Sequence, residues 1–536
     1  MTKVFWRATD DLPLTKPHGC FAFLKGPSYL NRPLIHGSPV SLLHRINNMR
    51  EVSTSNFGRR QFLADVAAGV GTVALSSPLR AAANEEVRIA VLGAGGRGGE
   101  LARTVDSVSG AKLVAVADPD EKRAASMAKK YGAKAYTDLR EALDSDDVDA
   151  VVITTCNHWH CLAALWAIDA GKDVYVEKPL SHSQWEGRQV VEAAKKSGAI
   201  VQLGTQQRSD PIQMEARKFL HDEKGLGAIK YVQANRLGVR GPIGKRDKPL
   251  EIPSEVNYDL WLCPAQDQPI MRNNLHYDWH WDWNTGSGEM GNWGVHILDD
   301  IRNVAYQDKV STPSKMIAAG GRMGWGDAGE TPNVHFALFE TEMFPTVIAL
   351  SNMSIKPGEK GSWKVPGGKP MTGPGSGYVV VCEGGYYLGQ RGSGKAVDLD
   401  GKTIRSFKAN VSTVPAHGSN FVEAVKSRKA ESLAAPIENG HYSTGWCNLA
   451  NVAMRCAGNY SDEQVRSASE LPAWSAVLDD MHESLKRYGV DMSELKSGPM
   501  LTHDPKTERF VGENADAANP FLRREYRPGY EVKPVA

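Results

Sequence analysis

No run of eighteen apolar residues occurs in the 536-residue sequence, so no ordinary membrane-spanning helix is expected. Surplus charge is lacking too: 63 Lys+Arg face 62 Asp+Glu, for a formal net charge of +1. That balance excludes a generally basic nucleic-acid binder and a polyanionic chain. Cysteine is scarce, at seven residues, with no C-x-x-C pair and no zinc-ligand spacing. The six cysteines from Cys156 onward are expected to be packing residues without disulfides. Internal repeats are absent. Hydrophobic residues at 41% and charged residues at 23% are globular values, which exclude wholesale disorder.

The charge that is present is unevenly placed. Residues 1–83 hold ten Lys+Arg against four Asp+Glu, leaving the remainder net acidic. Arg59-Arg60-Gln61-Phe62-Leu63 is a twin-arginine pattern, followed by a weak apolar run, Pro78 and Ala81-Ala82-Ala83. A basic flank, a short apolar core and a small-residue end are the parts of an export signal. The reading is a leader over 1–83, with the signal at 49–83 and Met49 as the true start. Segment 1–48 is then an extension, the alternative being a long disordered presequence. Export by the twin-arginine route, to the periplasm or beyond, is expected; that route carries folded proteins with a bound cofactor inside.

Next comes a strand–helix alternation. The apolar run 87–92 reads as a strand, and Gly93-Ala94-Gly95-Gly96-Arg97-Gly98 follows it directly, opening a helix over 99–107. Gly93 permits the tight turn, Gly95 lets backbone approach a pyrophosphate, and Gly98 permits close helix–strand packing. Gly96 and Arg97 fall in the same loop, whose helix start offers free N–H groups to phosphates. A second strand, 112–117, ends in Asp118, where an acid accepts hydrogen bonds from ribose hydroxyls and disfavours a 2′-phosphate. NAD is therefore expected rather than NADP, although Lys122 and Arg123 lie close. Further strands at 148–154, 173–176 and 200–203 alternate with helices at 159–170 and 184–197, which predicts a parallel doubly wound sheet. Its strand ends put Thr155, Asn157, His158, Glu177, Lys178 and Gln206 beside the cofactor.

Together with the dinucleotide loop and Asp118, the Asn157-His158 turn, Glu177-Lys178-Pro179 and 291–300 resemble the glucose–fructose oxidoreductase, inositol dehydrogenase and rhizopine-catabolism family (Gfo/Idh/MocA). The likeness covers nearly all of 86–460. It is nearest to a secreted branch common in planctomycete-like bacteria, which carries N-H-W-H (here 157–160) and G-N-x-G-V-H (here 291–296). The resemblance implies an α/β fold in two parts: a Rossmann dinucleotide-binding domain, 84–208, and a C-terminal α+β domain, 209–470, with a large, mostly antiparallel open sheet. It also implies pairing through the outer sheet face into a dimer or tetramer. Segments 229–236, 334–340, 346–351 and 378–382 read as its strands, 421–428 and 442–456 as helices, 356–376 as a surface insertion, with a lid or oligomer arm as the alternative, and 471–536 as a strap.

The resemblance gives Lys178 the role of polarising the reacting hydroxyl; a cation beside a forming alkoxide stabilises it. Residues 291–300 read as a helix in which Asn292 and His296, four apart, share a face. His296 is the expected base. Many relatives have Asp where Asn292 stands; Asn cannot take a proton but can hold a hydroxyl. The run 276–283, with Trp279, His280, Trp281 and Asp282, offers aromatic faces and polar groups suited to a sugar ring. Arg208 and Asp299 are further substrate candidates. No ligand spacing supports a metal.

The expectation is an NAD-dependent oxidoreductase acting on a sugar or polyol hydroxyl, with no nucleic-acid partner. A glycosidase working by transient C3 oxidation and elimination is the alternative, and a non-catalytic sugar binder the third.

Overall fold

The computed structural model describes residues 86–366 and 373–535; the leader, its twin arginines and its cleavage motif lie outside the described residues. Six short strands form a wholly parallel sheet: β1 (Val87–Leu92), β2 (Ala111–Ala117), β3 (Lys134–Tyr136), β4 (Ala150–Ile153), β5 (Asp173–Val176) and β6 (Val201–Leu203), in the order β3-β2-β1-β4-β5-β6. Helices cover both faces, so β4 and β5 are buried at every residue. This explains why they read as continuous apolar runs without alternation. The order reverses between β1 and β4, and that switch point opens a crevice past the strand ends.

The second sheet runs β14-β13-β12-β11-β7-β10-β9-β8 before two short edge strands. It comprises β7 (Ile229–Leu237), β8 (Lys315–Gly321), β9 (Val334–Glu340), β10 (Thr346–Ser351), β11 (Ser376–Cys382), β12 (Gly385–Gln390), β13 (Ser393–Val397) and β14 (Thr403–Lys408). All its pairings are antiparallel except β7 with β10. Its inner face buries Val232, Ala234, Phe339, Ile348 and Val380 against helices Pro211–His221, Val295–Val304 and Ile437–Arg455. This is the two-part α/β architecture expected.

Three details differ from expectation. Helix Thr413–Ser427 starts well before residue 421, and Phe421 and Val422 pack on the parallel sheet rather than the large one. Helix Pro472–Lys486 is no strap: Trp474, Val477, Leu478 and Met481 cover the outer face of β8, β9 and β10. The chain thus supplies its own cover over part of the face expected to pair. The insertion contributes too, through buried Trp363 against Phe336, with its indole N–H donating to the Ser354 carbonyl at 2.9 Å. Beyond residue 500 a hairpin, Leu501–Asp504 with Arg509–Val511, extends the sheet at β8. The last residues contact both parts: Arg527 pairs with Asp259 of the second, and the Val535 N–H donates to Gln189 of the nucleotide domain. Among the described residues no helix is long and apolar enough to cross a membrane.

Candidate active site

A cavity of about 420 Å³ lies past the carboxyl ends of β1, β2, β4 and β5. Gly93, at φ +101°, makes the turn out of β1; a Cβ there would meet Thr154 backbone at 2.8 Å. At Gly98 a Cβ would lie 1.9 Å from the Gly93 carbonyl oxygen, so only glycine lets helix Gly96–Ser107 approach this closely. Gly95 and Gly96 line the cavity, and a Cβ on Gly96 would meet nothing. The helix N-terminus therefore faces open space, with room and N–H donors for a pyrophosphate. Asp118 also lines the cavity. It accepts from the N–H groups of Ala94 (2.6 Å) and Asp120 (2.9 Å), which ties the end of β2 to the glycine loop. Burial raises its carboxyl above the usual range despite these bonds. Arg123, near Gly95, adds a cation at the phosphate end.

Segment 239–285 of the second domain closes over the adenosine end. Glu121 N–H donates to the Glu255 carbonyl (3.1 Å) and Asn257 N–H to that of Pro119 (2.8 Å). Lys122 pairs with Glu255 at 2.8 Å, and His276 lies 3.4 Å from Asp120.

At the other end stands Lys178, followed by a cis bond to Pro179. His160 fixes this turn, one ring nitrogen 2.6 Å from the Pro179 carbonyl and the other 3.1 Å from that of Thr155. The Lys178 ammonium donates to the Asn292 carbonyl (2.9 Å) and to its Oδ1 (3.1 Å). Burial lowers this lysine to about 8, against the opposing pull of Glu177.

Asn292 sits in a wide π-type turn, Met290–Gly294, that precedes helix Val295–Val304. The regular helix expected over 291–300 is thus broken at its start, a feature common at functional sites. Here Glu289 explains the amide at 292. Its fully buried carboxylate accepts from Asn292 Nδ2 at 3.1 Å and pairs with Arg236 (2.9 Å) and Arg240 (2.8 Å). Asn292 so presents nitrogen to a carboxylate and oxygen to an ammonium; an Asp would set two carboxylates face to face. His296 is buried, edge-on to Trp293 at 5.8 Å, with its Nδ1 lacking a partner among the described residues. Burial, with Arg391, Lys178 and Arg97 nearby, keeps its imidazole well below the usual histidine range. It is neutral at neutral pH, does not itself line the cavity, and is made a weaker proton acceptor by the same causes.

The remaining candidates divide. Thr155, Asn157, Trp279 and His280 line the cavity, the last two stacked at 3.6 Å. Thr155 Oγ1 is buried without a partner among the described residues. Arg97 and Glu177 also line it but face each other at 2.6 Å. His158 does not reach it: both its ring nitrogens lie 3.1 Å from the carbonyls of Thr285 and Trp261. Gln206 is buried away from the cavity lining. Trp281 is buried in the fold and Asp282 accepts from Arg272 at 2.8 Å. Arg208 and Asp299, expected at the substrate, form a buried pair at 2.9 Å instead, with Asp308 on the other guanidinium edge at 2.8 Å. Two charges that neutralise each other out of solvent have no capacity left for a ligand.

Sequence reasoning missed Glu289, Arg236, Arg240, Arg391 and Trp261. Their only signal is spatial, since they come from four separate segments. Among the described residues no group of three or more His, Cys, Asp or Glu could hold a metal ion.

Residues 87–205 match the model of an oxidoreductase family with an NAD-binding Rossmann fold, GFO_IDH_MocA. Residues 243–323 match the model of its C-terminal alpha/beta domain. The chain is 39% identical over 135 residues to scyllo-inositol 2-dehydrogenase (NAD(+)) of Bacillus subtilis, covering 25% of this chain and 40% of that one. It is 33% identical over 148 residues to 4-carboxy-2-hydroxymuconate-6-semialdehyde dehydrogenase of a Sphingobium species, covering 27% and 46%. The chain thus spans less than half the length of these curated relatives. Among solved structures, levoglucosan dehydrogenase with NADH and levoglucosan superposes with TM-score 0.52 at 16% identity, over 69% of this chain and 98% of that one. A putative NADPH-dependent oxidoreductase from Desulfitobacterium hafniense gives 0.51 at 15%, over 69% and 96%. These last two likenesses concern the fold.

Proposed function

We propose, on the premise that this chain carries both domains of the Gfo/Idh/MocA oxidoreductase family, that it is an NAD-dependent oxidoreductase acting on a sugar or polyol hydroxyl. One observation carries the reading: a charged lysine, held by Asn292, lines a glycine-loop crevice, with the neutral, unpartnered His296 one helical turn beyond Asn292 and within electrostatic reach of that lysine.

The residues present fit the cofactor. Gly95, Gly96 and the helix start would hold the pyrophosphate, Asp118 the adenosine ribose, and Thr155 and Asn157 the nicotinamide end. When bound, NAD supplies the two-electron oxidant. Lys178, held by Asn292, is placed to hydrogen-bond the substrate oxygen and stabilise negative charge developing on it. His296, whose buried Nδ1 has no partner among the described residues, would take the hydroxyl proton there. Trp279 offers a stacking face to the ring, and segment 239–285 excludes water from the adenosine side.

Export by the twin-arginine leader belongs to the same proposal. Outside the cytoplasm free NAD is scarce, so a retained cofactor suits either a sugar–sugar oxidoreductase or a redox glycosidase. Asn292, unable to act as a second base, favours the glycosidase as the second reading.

The test is to incubate the chain from Asn84, loaded with its own cofactor, with free sugars, polyols and chromogenic glycosides. Stoichiometric nicotinamide reduction without aglycone release supports the oxidoreductase. Many aglycones released per chain without lasting reduction would replace it by the glycosidase.

A further inference from the structure

Trp293 follows Asn292 in the π-type turn, and its ring carries two guanidinium groups: Arg236 at 4.1 Å and Arg391 at 4.4 Å from the centroid. Arg236 has its counter-charge in Glu289, as has Arg240; Arg97 has Glu177 and Glu100. Arg391 has none: among the described residues no carboxylate lies within ion-pair distance of it. Asp300 acts on it from farther away and is itself hydrogen-bonded to Gln213 at 2.6 Å. Nor does any described group accept a hydrogen bond from this guanidinium.

Arg391 is not on a loose loop. It stands in the two-residue turn between β12 and β13, with Gln390 paired to Ser393 across it and Gly392 at φ +70° closing the hairpin. The turn brings Arg391 onto the Trp293 ring and within electrostatic reach of Lys178, His296 and Glu177. Arg391 and Trp293 lie outside the cavity lining and Arg391 is exposed, so this cation without an ion-pair partner stands beside the crevice, stacked on the neighbour of Asn292, which does line it. A neutral polyol has no use for it. A carboxylate or phosphate matches the planar, multi-donor guanidinium with two parallel hydrogen bonds.

We propose that the substrate of this crevice carries an anionic group, a carboxylate or a phosphate ester, received by Arg391 beside Trp293. This rests on the oxidoreductase reading for the identity of the reaction, and on Arg391 for the anion. Such an anion also offsets the positive field around His296, so the substrate itself makes that imidazole a better proton acceptor.

Neutral, uronate and 6-phosphate forms of glucose, galactose and mannose are titrated calorimetrically into the cofactor-loaded chain. Nicotinamide absorbance is recorded separately on the same mixtures. The expected result is that one acidic series binds about tenfold to a hundredfold more tightly than its neutral counterpart. Arg391→Gln abolishes that preference and Arg391→Lys keeps part of it. Preference for uronates assigns a carboxylate, and preference for the esters a phosphate. Equal or tighter binding of the neutral forms, an acid preference that survives Arg391→Gln, or no binding by either acidic series overturns the proposal. The two readings fail separately. Neutral sugars that reduce the cofactor without any acid preference remove the anion and leave the oxidoreductase. Arg391-dependent binding of acids without reduction does the reverse.

Discussion

Replacing Lys178 by Met keeps the half-buried apolar stem and removes the charge. In the protein the ammonium sits 2.9 and 3.1 Å from two oxygens of Asn292, so it is held rather than mobile. A unit charge about 4 Å from a developing alkoxide, at an effective dielectric constant near 20, contributes about 4 kcal/mol. At about 1.4 kcal/mol per decade this is roughly a thousandfold in rate. Loss of one fixed donor at a developing oxyanion gives a similar figure, on the order of a hundredfold to a thousandfold. The expected outcome for Lys178→Met is thus a fall in the single-turnover rate of about three orders of magnitude, with cofactor content unchanged. Lys178→Arg retains charge and should lose less. The wild-type protein adds an independent check. With Lys178 lowered to about 8, its charge is present below that pH and lost above it. The rate of hydroxyl oxidation should therefore fall as pH rises through about 8. His296, neutral throughout, should add no acid limb near pH 6.5. A loss of less than about tenfold in Lys178→Met, or a rate that climbs through pH 8, would refute this assignment.

Asn292→Asp should lower activity by at least about tenfold, because it faces the Glu289 carboxylate at 3.1 Å; adding Glu289→Gln should recover part, read as kcat in the double variant. Arg208→Met leaves Asp299 buried without its main partner and should destabilise by about 3–5 kcal/mol, seen as a lower Tm. Asp118→Asn should narrow the preference for NAD over NADP in equilibrium binding, and should also lower Tm, since the carboxylate organises two loop N–H groups. Changing Arg59 and Arg60 to Lys should leave the chain in the cytoplasm on cell fractionation; export undiminished by the change would remove the twin-arginine proposal.

What could be read in the sequence followed local rules. Strands β1, β5, β9 and β10 are dense in β-branched and apolar residues, and the glycine loop, Asp118 and Lys178 stand at fixed offsets from strand ends. Strand β8 (KMIAAGG) was missed because both its faces are buried, one under helix Pro472–Lys486, which removes any alternation. Strands β12 and β13 were hidden by glycines at 385, 389 and 394. The division of the candidate residues was less legible, because charge pairing acts across long sequence distance. Arg208 meets Asp299 and Arg97 meets Glu177 only after folding. In the run 276–283 nothing local separates Trp279, which lines the cavity, from Trp281, which fills the fold. Arg391 arrives beside Trp293 from a hairpin in another part of the chain.

The central claim is that this crevice removes hydrogen from a hydroxyl-bearing carbon to the bound nicotinamide. A substrate found in the panel, deuterated at that carbon, tests it in one turnover. The cofactor extracted from the wild-type chain should carry one deuterium per substrate consumed, and that from Lys178→Met almost none. Product formed over an unlabelled cofactor would contradict the account.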